Sequence, residues 1–274
     1  MILVHLTDLH ICAQGQTASR AAETNMLTER ALRAVSRLKT RPDALVISGD
    51  LTESGLEREY AMLADMLHRH ISVPVYVVPG NHDRREMLQS RMAHLPGIRA
   101  DVDFVQYAVE SHDVRLVMLD TVIAGSPAGE LCARRLAWLD ETLAAEPDKP
   151  TIVVMHHPPF RCGIGHMDRI SLRNGDQFEA VIAQHRQVQR ILCGHLHRAA
   201  TGQVAHAVAS ISPSAAHQLE FCIGDDPGFW NLEPPAFQVV VTMPGGAIVT
   251  HIVYVEDFPG PFPFVPDPEE LGEA

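Results

Sequence analysis

Short apolar runs alternate with segments of helical periodicity through the first two thirds of the chain. Six apolar runs predict buried strands at residues 2–7, 44–48, 75–78, 115–119, 151–155 and 188–193. Between them, apolar residues recur every three or four positions and predict helices at residues 18–39, along Leu56 to Leu67, along Leu136 to Leu143, and around 178–185. Strands that are buried on both faces and joined by helices indicate parallel α/β units.

The pattern changes after Gly202, where three further segments predict strands joined by turns. These segments cover residues 203–208, 237–242 and 247–255. We expect them to form a second, more antiparallel sheet. One domain therefore covers residues 1–255, and residues 256–274 form a tail rich in proline and acidic residues. Such a tail cannot build its own core, so it is either disordered or an arm laid on a neighbouring subunit.

Polar residues with metal-binding chemistry follow five of the predicted strands. They are Asp8 and His10, Asp50, Asn81 and His82, His156, and His195 with His197. Because ligands gather beyond the carboxyl ends of strands in open α/β sheets, we expect these side chains to converge. Carboxylate and amide oxygens mixed with imidazoles suit divalent metals, and the set is large enough for two ions.

The spacing and residue types within each motif predict roles for individual residues. Residues two apart at an extended strand end point the same way, so the pairs in DLH and HLH can face one site. Gly49 permits close backbone approach, and the two oxygens of Asp50 can bridge two ions. Asp83 is a candidate N-cap for the next helix. We interpret His157 as a positioning or structural residue rather than a ligand. Taken alone, a DxH or GD pair is as typical of an ordinary turn as of a metal site.

The order DxH, GD, GNHD, HHPP and GHxH resembles the calcineurin-like metallophosphoesterase superfamily over roughly residues 1–200. Within it, the chain is similar to bacterial binuclear glycerophosphodiesterases and class III cyclic-nucleotide phosphodiesterases. The SAAHQ segment around His217 resembles the glycerophosphodiesterase branch, in which a histidine at that place lies near the phosphate. The resemblance implies an α/β fold, a four-layer αββα sandwich with two mixed β-sheets flanked by helices.

The resemblance also implies a ligand set and a reaction. One metal would be held by Asp8, His10, Asp50 and His197, and a second by Asp50, Asn81, His156 and His195. Ligands without thiolate suit Mn, Fe, Zn or Co. A hydroxide that bridges the two ions would hydrolyse small phosphodiesters, either glycerophosphodiesters or 3′,5′-cyclic nucleotides. Asp50 and His82 are the implied catalytic residues, His82 by protonating the leaving group or steadying a phosphoryl oxygen, and the substrate would contact Asn81, His82 and His217.

Three alternatives stay open at this point. A phosphomonoesterase or Ser/Thr protein phosphatase of the same superfamily carries an arginine in GDxxDRG, where this chain has GDLTESG, although Arg84 could partly substitute. A nuclease needs a basic groove, and the net charge of −12 argues against one. A metal-binding scaffold without activity predicts degraded ligands, whereas the implied ligands are all present.

Composition and charge narrow the partners and the compartment. The net charge of −12 disfavours nucleic-acid polymers and anionic membranes as partners, and no apolar run is long enough to span a bilayer. The N-terminus MILVHLTDLH lacks the features of a signal peptide, and the 5 cysteines are scattered, so we expect a cytoplasmic protein with reduced thiols. The resemblance implies a homo-oligomer, a dimer or larger. The sequence leaves the choice of substrate open. The aromatic residues that could stack on a purine are Phe160, Phe221, Phe229 and Trp230, with core or lid packing as the favoured interpretation.

Overall fold

The computed structural model describes residues 1–225 and 227–263, which form two large mixed sheets, a small ribbon and six helices within those ranges. In chain order the elements are β1 Ile2–Leu6, α1 Thr24–Ser36, β2 Ala44–Ile47, α2 Glu57–His70, β3 Val75–Val77, α3 Arg85–Arg91, β4 Tyr107–Val109, β5 Arg115–Leu119, α4 Ala133–Ala144, β6 Thr151–Met155, α5 Gly165–Asp168, α6 Gly175–Ile182, β7 Val188–Cys193, β8 Ala200–Val204, β9 Ala207–Ile211, β10 Gln218–Leu219, β11 Trp230–Asn231, β12 Ala236–Thr242 and β13 Ile248–Tyr254.

The two large sheets each have a parallel centre. The first has the order β13-β12-β1-β2-β3, in which β1, β2 and β3 are parallel and β12 and β13 are antiparallel. The second has the order β4-β5-β6-β7-β9-β8, in which β4 and β8 are antiparallel edge strands. The parallel strands of both sheets therefore bring their carboxyl ends to an edge where loops can meet.

Because side chains alternate along each strand, the core has three apolar layers: one between the two sheets, and one between each sheet and its helices. In β2, Ala44 and Val46 face the other sheet, whereas Leu45 and Ile47 pack with α1 and α2. In β6, Val154 faces the first sheet, and its neighbours Val153 and Met155 pack with α4 and α6. Helices thus cover the outer face of each sheet, and the predicted αββα sandwich is confirmed.

The sequence predicted that the strands after Gly202 form a second, more antiparallel sheet, and this strand pairing is wrong. β12 and β13 do not build a separate sheet; they extend the first sheet beside β1. The single strand predicted at residues 203–208 is a hairpin, because the chain turns after Val204 at Ala205, whose φ is 52°. Hydrophobic alternation specifies which face of a strand is buried, but it does not specify the neighbouring strand.

Two further boundaries bear on the predictions. The helix predicted at residues 18–39 begins only at Thr24, because Ala18 and Ala22 pair as an isolated bridge before it. Residues 264–274 of the predicted tail lie outside the described residues, and an intersubunit arm stays a prediction. Within residues 1–225 and 227–263, no helix has both the length and the apolar character needed to cross a membrane.

Candidate metal centre

Four of the predicted ligands come together beyond the ends of β1, β2 and β7. The ligand atoms of Asp8, His10, Asp50 and His197 all lie within 4.8 Å of one another. His197 Nε2 is 3.0 Å from His10 Nε2 and 3.4 Å from Asp8 Oδ1. Each of the four side chains is largely buried. The structure thus brings together the group that the sequence predicted for one ion.

The other predicted ligands adjoin this group through Asp50. His156 Nε2 lies 3.4 Å from Asp50 Oδ2 and 3.2 Å from Asn81 Oδ1. The rings of His156 and His195 have centroids 5.1 Å apart. The same Asp50 Oδ2 is 3.6 Å from His10 Nε2 in the first group. One carboxylate oxygen therefore faces both groups of ligands.

The convergence depends on a backbone conformation that the sequence analysis did not predict. DLH and GHLH were expected to continue as extended strand ends, but β1 ends at Leu6 and β7 at Cys193. Five predicted ligands lie beyond strand ends with left-handed φ values: Asp8 at 53°, His10 at 47°, Asp50 at 46°, His195 at 71° and His197 at 53°. A left-handed backbone costs roughly 1–2 kcal/mol for a residue with a Cβ atom. Such strain concentrates at functional sites.

Hydrogen bonds at Nδ1 orient three of the imidazoles. His156 Nδ1 donates to the Ser48 carbonyl at 2.7 Å, and His197 Nδ1 donates to the His217 carbonyl at 2.9 Å. A carbonyl accepts only, so Nδ1 carries the proton of this bond and Nε2 of each ring is left to face the centre. His10 Nδ1 lies 2.8 Å from Glu53 Oε2, which leaves its Nε2 to the centre in the same way. Fixing a ring through the nitrogen that does not bind metal is common at metal sites.

The buried polar atoms fit a divalent metal. His195 Nε2 is buried without a hydrogen-bond partner among the described residues. An unpaired buried polar atom costs about 1–3 kcal/mol, and a bound cation would remove that cost. The donor set of carboxylate, amide oxygen and imidazole has the chemistry that such ions prefer. The centre therefore fits divalent metal ions.

The pKa values of the ligands shift in both directions, and those of two rings favour metal binding. Burial lowers the pKa of His195 to about 3 and that of His197 to about 4, so both rings are neutral, which is the form that ligates metals. Burial raises the pKa of Asp8 to about 6. Burial alone would lower the pKa of His156, but the neighbouring Asp50 raises it to about 9.

His157 is held by the protein on both sides of its ring. Its Nδ1 lies 2.8 Å from Thr121 Oγ1, and its Nε2 is 3.2 Å from the Pro127 carbonyl. Although its ring nitrogens lie within 4.8 Å of ligand atoms of His156 and His195, both are already hydrogen-bonded. These contacts favour a positioning role for His157.

A cavity of about 220 Å³ opens onto the centre. Its polar lining comprises Asp50, Asn81, His82, His195, His197 and His217. The His82 side chain is 37% exposed, and its Nδ1 donates to the Glu53 carbonyl at 2.8 Å. The buried His217 ring lies 4.6 Å from the His197 ring, measured between centroids. The structure thus brings all nine predicted site residues to one cavity or to the ligands beside it.

Two expectations at this edge are corrected. Asp83 does not cap a helix, because α3 begins at Arg85 and the Asp83 carboxylate accepts the backbone N–H groups of Leu51, Thr52 and Gly80. Arg84 is exposed and does not line the cavity. Among the described residues that line it, none is arginine or lysine.

Sequence reasoning missed one residue at the site and did not assign another to it. Glu53, beside His10, lies in the GDLTES stretch, which was considered only for the arginine that it lacks. Trp230 lines the cavity, whereas the sequence analysis named it only as one of four aromatic residues that could stack on a purine and favoured core or lid packing. Neither residue belongs to a motif, so only their contacts identify them.

Comparisons with known proteins agree with this geometry. The family model described as "Calcineurin-like phosphoesterase" matches residues 1–199. The chain is 30% identical over 273 residues to a probable glycerophosphodiester phosphodiesterase GpdQ of Arcobacter nitrofigilis, with 99% of each chain covered. It is 35% identical over 261 residues to a probable cyclic nucleotide phosphodiesterase of Rhodopseudomonas palustris, with 92% of this chain and 91% of the relative covered.

Solved structures show the same fold. A dimetal phosphatase from Danio rerio superposes with a TM-score of 0.63 at 18% identity, covering 88% of this chain and 92% of that one. This likeness concerns the fold alone. The family model covers most of the chain, and relatives above 30% identity cover nearly all of it. The chain therefore belongs to the calcineurin-like phosphoesterase family.

Proposed function

We propose that this protein is a binuclear metal-dependent phosphodiesterase that hydrolyses small phosphodiesters, either glycerophosphodiesters or 3′,5′-cyclic nucleotides. The observation that carries the proposal is the shared position of Asp50 Oδ2, 3.6 Å from His10 Nε2 and 3.4 Å from His156 Nε2. A carboxylate between two groups of imidazole ligands is suited to join two cations. The relatives named as phosphodiesterases support the same reaction.

Each ion would have its own set of ligands around the shared Asp50. Asp8, His10, Asp50 and His197 would hold one ion, and Asp50, Asn81, His156 and His195 the other. Oxygen and imidazole donors without thiolate suit Mn, Fe, Zn or Co. When bound, such ions lower the pKa of water and offset negative charge on a phosphoryl group.

The chain's own groups supply the remaining chemistry. In the hydrolysis, the oxygen of water bonds to phosphorus, the bond to one ester oxygen breaks, and that oxygen takes a proton. His82 is placed to give this proton from Nε2, because its Nδ1–H is committed to the Glu53 carbonyl. Burial lowers the pKa of His82, but the neighbouring Asp50 and the bond to Glu53 raise it above its ordinary value, which favours the protonated form.

Asn81 and His217 complete the proposed contacts with substrate. Burial lowers the pKa of His217 to about 3, so its ring is neutral and adds no charge to the cavity. His217 Nδ1 is buried without a partner among the described residues and is therefore available for a hydrogen bond. Asn81 offers an amide whose oxygen faces His156. These residues would orient the phosphoryl group over Asp50.

The cavity favours a diester over a monoester. A phosphomonoester carries a second negative charge, and enzymes that bind such dianions commonly use arginine. The described lining of the cavity contains no arginine or lysine. A phosphomonoesterase, or a protein phosphatase, is therefore the second candidate rather than the first.

The proposal includes the setting of the enzyme. The net charge of −12 disfavours nucleic-acid polymers as substrates, so we infer a small substrate. We infer a cytoplasmic homo-oligomer, in which residues 1–255 form the catalytic domain and residues 256–274 serve as an arm. Size-exclusion chromatography with light scattering of the full chain and of a chain ending at residue 255 tests the arm.

Metal content and diester hydrolysis test the function together. Protein reconstituted with manganese should hold about two ions per chain and release p-nitrophenol from bis(p-nitrophenyl) phosphate. Asn81→Ala and His156→Ala should each deplete one ion and lower the rate at least a hundredfold, by analogy with ligand losses that disturb two-metal catalysis. His251→Ala, which changes an exposed histidine of β13, is the matched control. Full activity in His156→Ala would overturn the ligand assignment.

A further inference from the structure

The lining of the cavity has a second, apolar part that the proposed chemistry does not use. Pro127, Met167, Ile170, Leu219 and Trp230 provide it. None of these side chains carries a charge, and only the indole has a polar atom. Trp230 is 36% exposed, so other side chains do not cover its ring completely. An exposed indole beside a polar centre is a candidate binding surface.

Trp230 is held close to the centre by a chain of contacts. It belongs to β11, which pairs with β10 so that Trp230 lies opposite Leu219. Its ring meets His217 edge-to-face at 5.4 Å between centroids. The Leu219 N–H donates to the His197 carbonyl at 3.2 Å, which ties the ribbon to the loop that carries the predicted ligands.

A partly exposed ion pair and a backbone hydrogen bond fix the same ribbon from the other side. Arg198 directly follows His197, and its Nε donates to the Leu219 carbonyl at 3.0 Å. Its Nη2 lies 2.8 Å from a carboxylate oxygen of Glu233, just past β11. Arg198 thus anchors the ribbon at β10 and just past β11. The indole is therefore presented in a defined position rather than on a free loop.

The other aromatic residues near the site are arranged differently. Phe221 and Phe229 are 62% and 64% exposed and do not line the cavity. Phe160 packs against the core of the second sheet. Among the described aromatic residues, Trp230 alone lines the cavity. The indole is therefore the residue to examine for substrate choice.

The chemistry of the apolar lining discriminates between the two proposed substrate classes. The hydroxyl groups of a glycerol ester would lose hydrogen bonds to water against these side chains and gain no partners from them. A planar base would gain stacking on the indole, an interaction that tolerates any base because each has a π face. Met167 adds a thioether that packs well against aromatic rings. The lining therefore favours an ester group that is flat and aromatic.

We propose that Trp230 is a specificity-determining residue that stacks on the base of the substrate, so that a purine 3′,5′-cyclic nucleotide is preferred over glycerophosphodiesters. This inference rests on the proposed function and names the substrate class for the same site. In the reaction, water oxygen bonds to phosphorus, the bond to O3′ breaks, and O3′ takes the proton. The base stays outside the bond changes and contributes only binding.

The test compares three manganese-loaded variants with wild type on two kinds of diester. We expect wild type to have a higher kcat/KM for cyclic AMP than for glycerophosphocholine or glycerophosphoethanolamine. Trp230→Ala should lose about tenfold to a hundredfold in kcat/KM for cyclic AMP, mostly through KM, as for loss of a stacking partner. It should change the glycerophosphodiesters by less than about threefold, within the range of an indirect effect. Trp230→Phe should retain most of the preference, and Phe229→Ala, which alters the adjacent exposed ring, should match wild type.

A binding experiment keeps the test independent of turnover. The chain has 2 tryptophans, so Trp138→Phe leaves Trp230 as the remaining indole. AMP, the product of cyclic AMP hydrolysis, should quench its fluorescence with saturation, whereas glycerol 3-phosphate should not. Equal metal content in each variant excludes a simple loss of the centre.

The outcomes separate this inference from the proposed function. If wild type hydrolyses neither cyclic AMP, the glycerophosphodiesters nor bis(p-nitrophenyl) phosphate, the proposed function fails. If it hydrolyses diesters but Trp230→Ala loses equally on both classes, only the stacking role fails. A preference for glycerophosphocholine that depends on Trp230 would also overturn the inference, because the indole would then bind a quaternary ammonium group.

Discussion

Replacing Glu53 with alanine removes the carboxylate that holds the His10 ring. Glu53 Oε2 lies 2.8 Å from His10 Nδ1, and the carboxylate is about three-quarters buried. The backbone carbonyl of Glu53 separately accepts the proton of His82 Nδ1 at 2.8 Å. The substitution therefore removes the contact with His10 and a longer one of 3.7 Å between the carboxylate and His82 Nδ1, but it leaves the carbonyl bond to His82 in place. The effect should fall on the ion that His10 binds.

The size of the effect follows from the bond that is lost. A hydrogen bond to a charged group contributes about 1.5–3 kcal/mol. Losing a partner that orients a ligating histidine typically costs about tenfold to a hundredfold in metal affinity, which agrees with that energy. We expect Glu53→Ala to weaken the ion at Asp8, His10, Asp50 and His197 by that factor. Glu53→Gln keeps an oxygen acceptor for His10 Nδ1 and should recover most of the loss.

Competitive metal titration with a chromogenic chelator, followed by diester turnover at rising manganese, measures both quantities. Glu53→Ala should recover most of the wild-type kcat at saturating manganese, because the Glu53 carbonyl still holds His82 Nδ1 although the carboxylate that helps to raise the pKa of His82 is lost. Glu141→Gln, an exposed carboxylate of α4, is the matched control. Equal weakening at both metal positions, or a kcat that stays low at saturation, would refute a role for Glu53 in orienting His10.

Three further predictions test other parts of the structure. His82→Gln should lower kcat about a hundredfold to ten-thousandfold at unchanged metal content, and retention of wild-type kcat would exclude it as the acid. Burial lowers the pKa of His5 to about 4, so the unfolded chain takes up a proton first and stability falls as pH drops from about 6.5 to about 4, by about 3 kcal/mol. Urea titrations of His5→Asn should lack this part of the pH dependence, and an unchanged profile would contradict it. Gly49→Ala should lower Tm and metal content, because φ is +100° and a Cβ would lie 2.5 Å from His156 Nδ1. Gly125→Ala is the control for backbone strain, because Gly125 also has a positive φ but a Cβ there would meet open space. Equal losses of Tm and metal content in both variants would contradict the role of the contact with His156.

The strands that the sequence predicted best are those buried on both faces. The predicted ranges 115–119, 151–155 and 188–193 coincide with β5, β6 and β7. Short, mostly apolar segments that alternate with helices are typical of the parallel strands of an α/β protein. Strands near the C-terminus were also located, but not their partners. β12 lies beside β1, where Gln238 meets the buried His5, a contact across more than two hundred residues that no local pattern encodes.

The candidate site shows the same division between local and non-local information. The residues of the motifs follow strand ends, so their identity and their convergence could be read from the sequence. The role of Glu53 could not, because it comes from a contact, and Trp230 could be named only as one of four candidate aromatic residues. Trp230 lies thirteen residues beyond His217, a separation read from the sequence numbers, and reaches the cavity only because β10 and β11 pair.

Backbone hydrogen bonds between strand-end loops hold the ligands in place. The Asp8 N–H donates to the Gly49 carbonyl at 3.1 Å, and the His10 N–H donates to the Asp50 carbonyl at 3.0 Å. The Asp83 carboxylate then joins the loop after β2 to the loop after β3. Asp8 and His10, whose N–H groups make two of these bonds, have left-handed φ values, whereas the sequence analysis expected an extended strand end there. These bonds involve no atom that a metal would need. The loops can therefore keep the ligands assembled before an ion arrives, and this limits the ordering cost of metal binding.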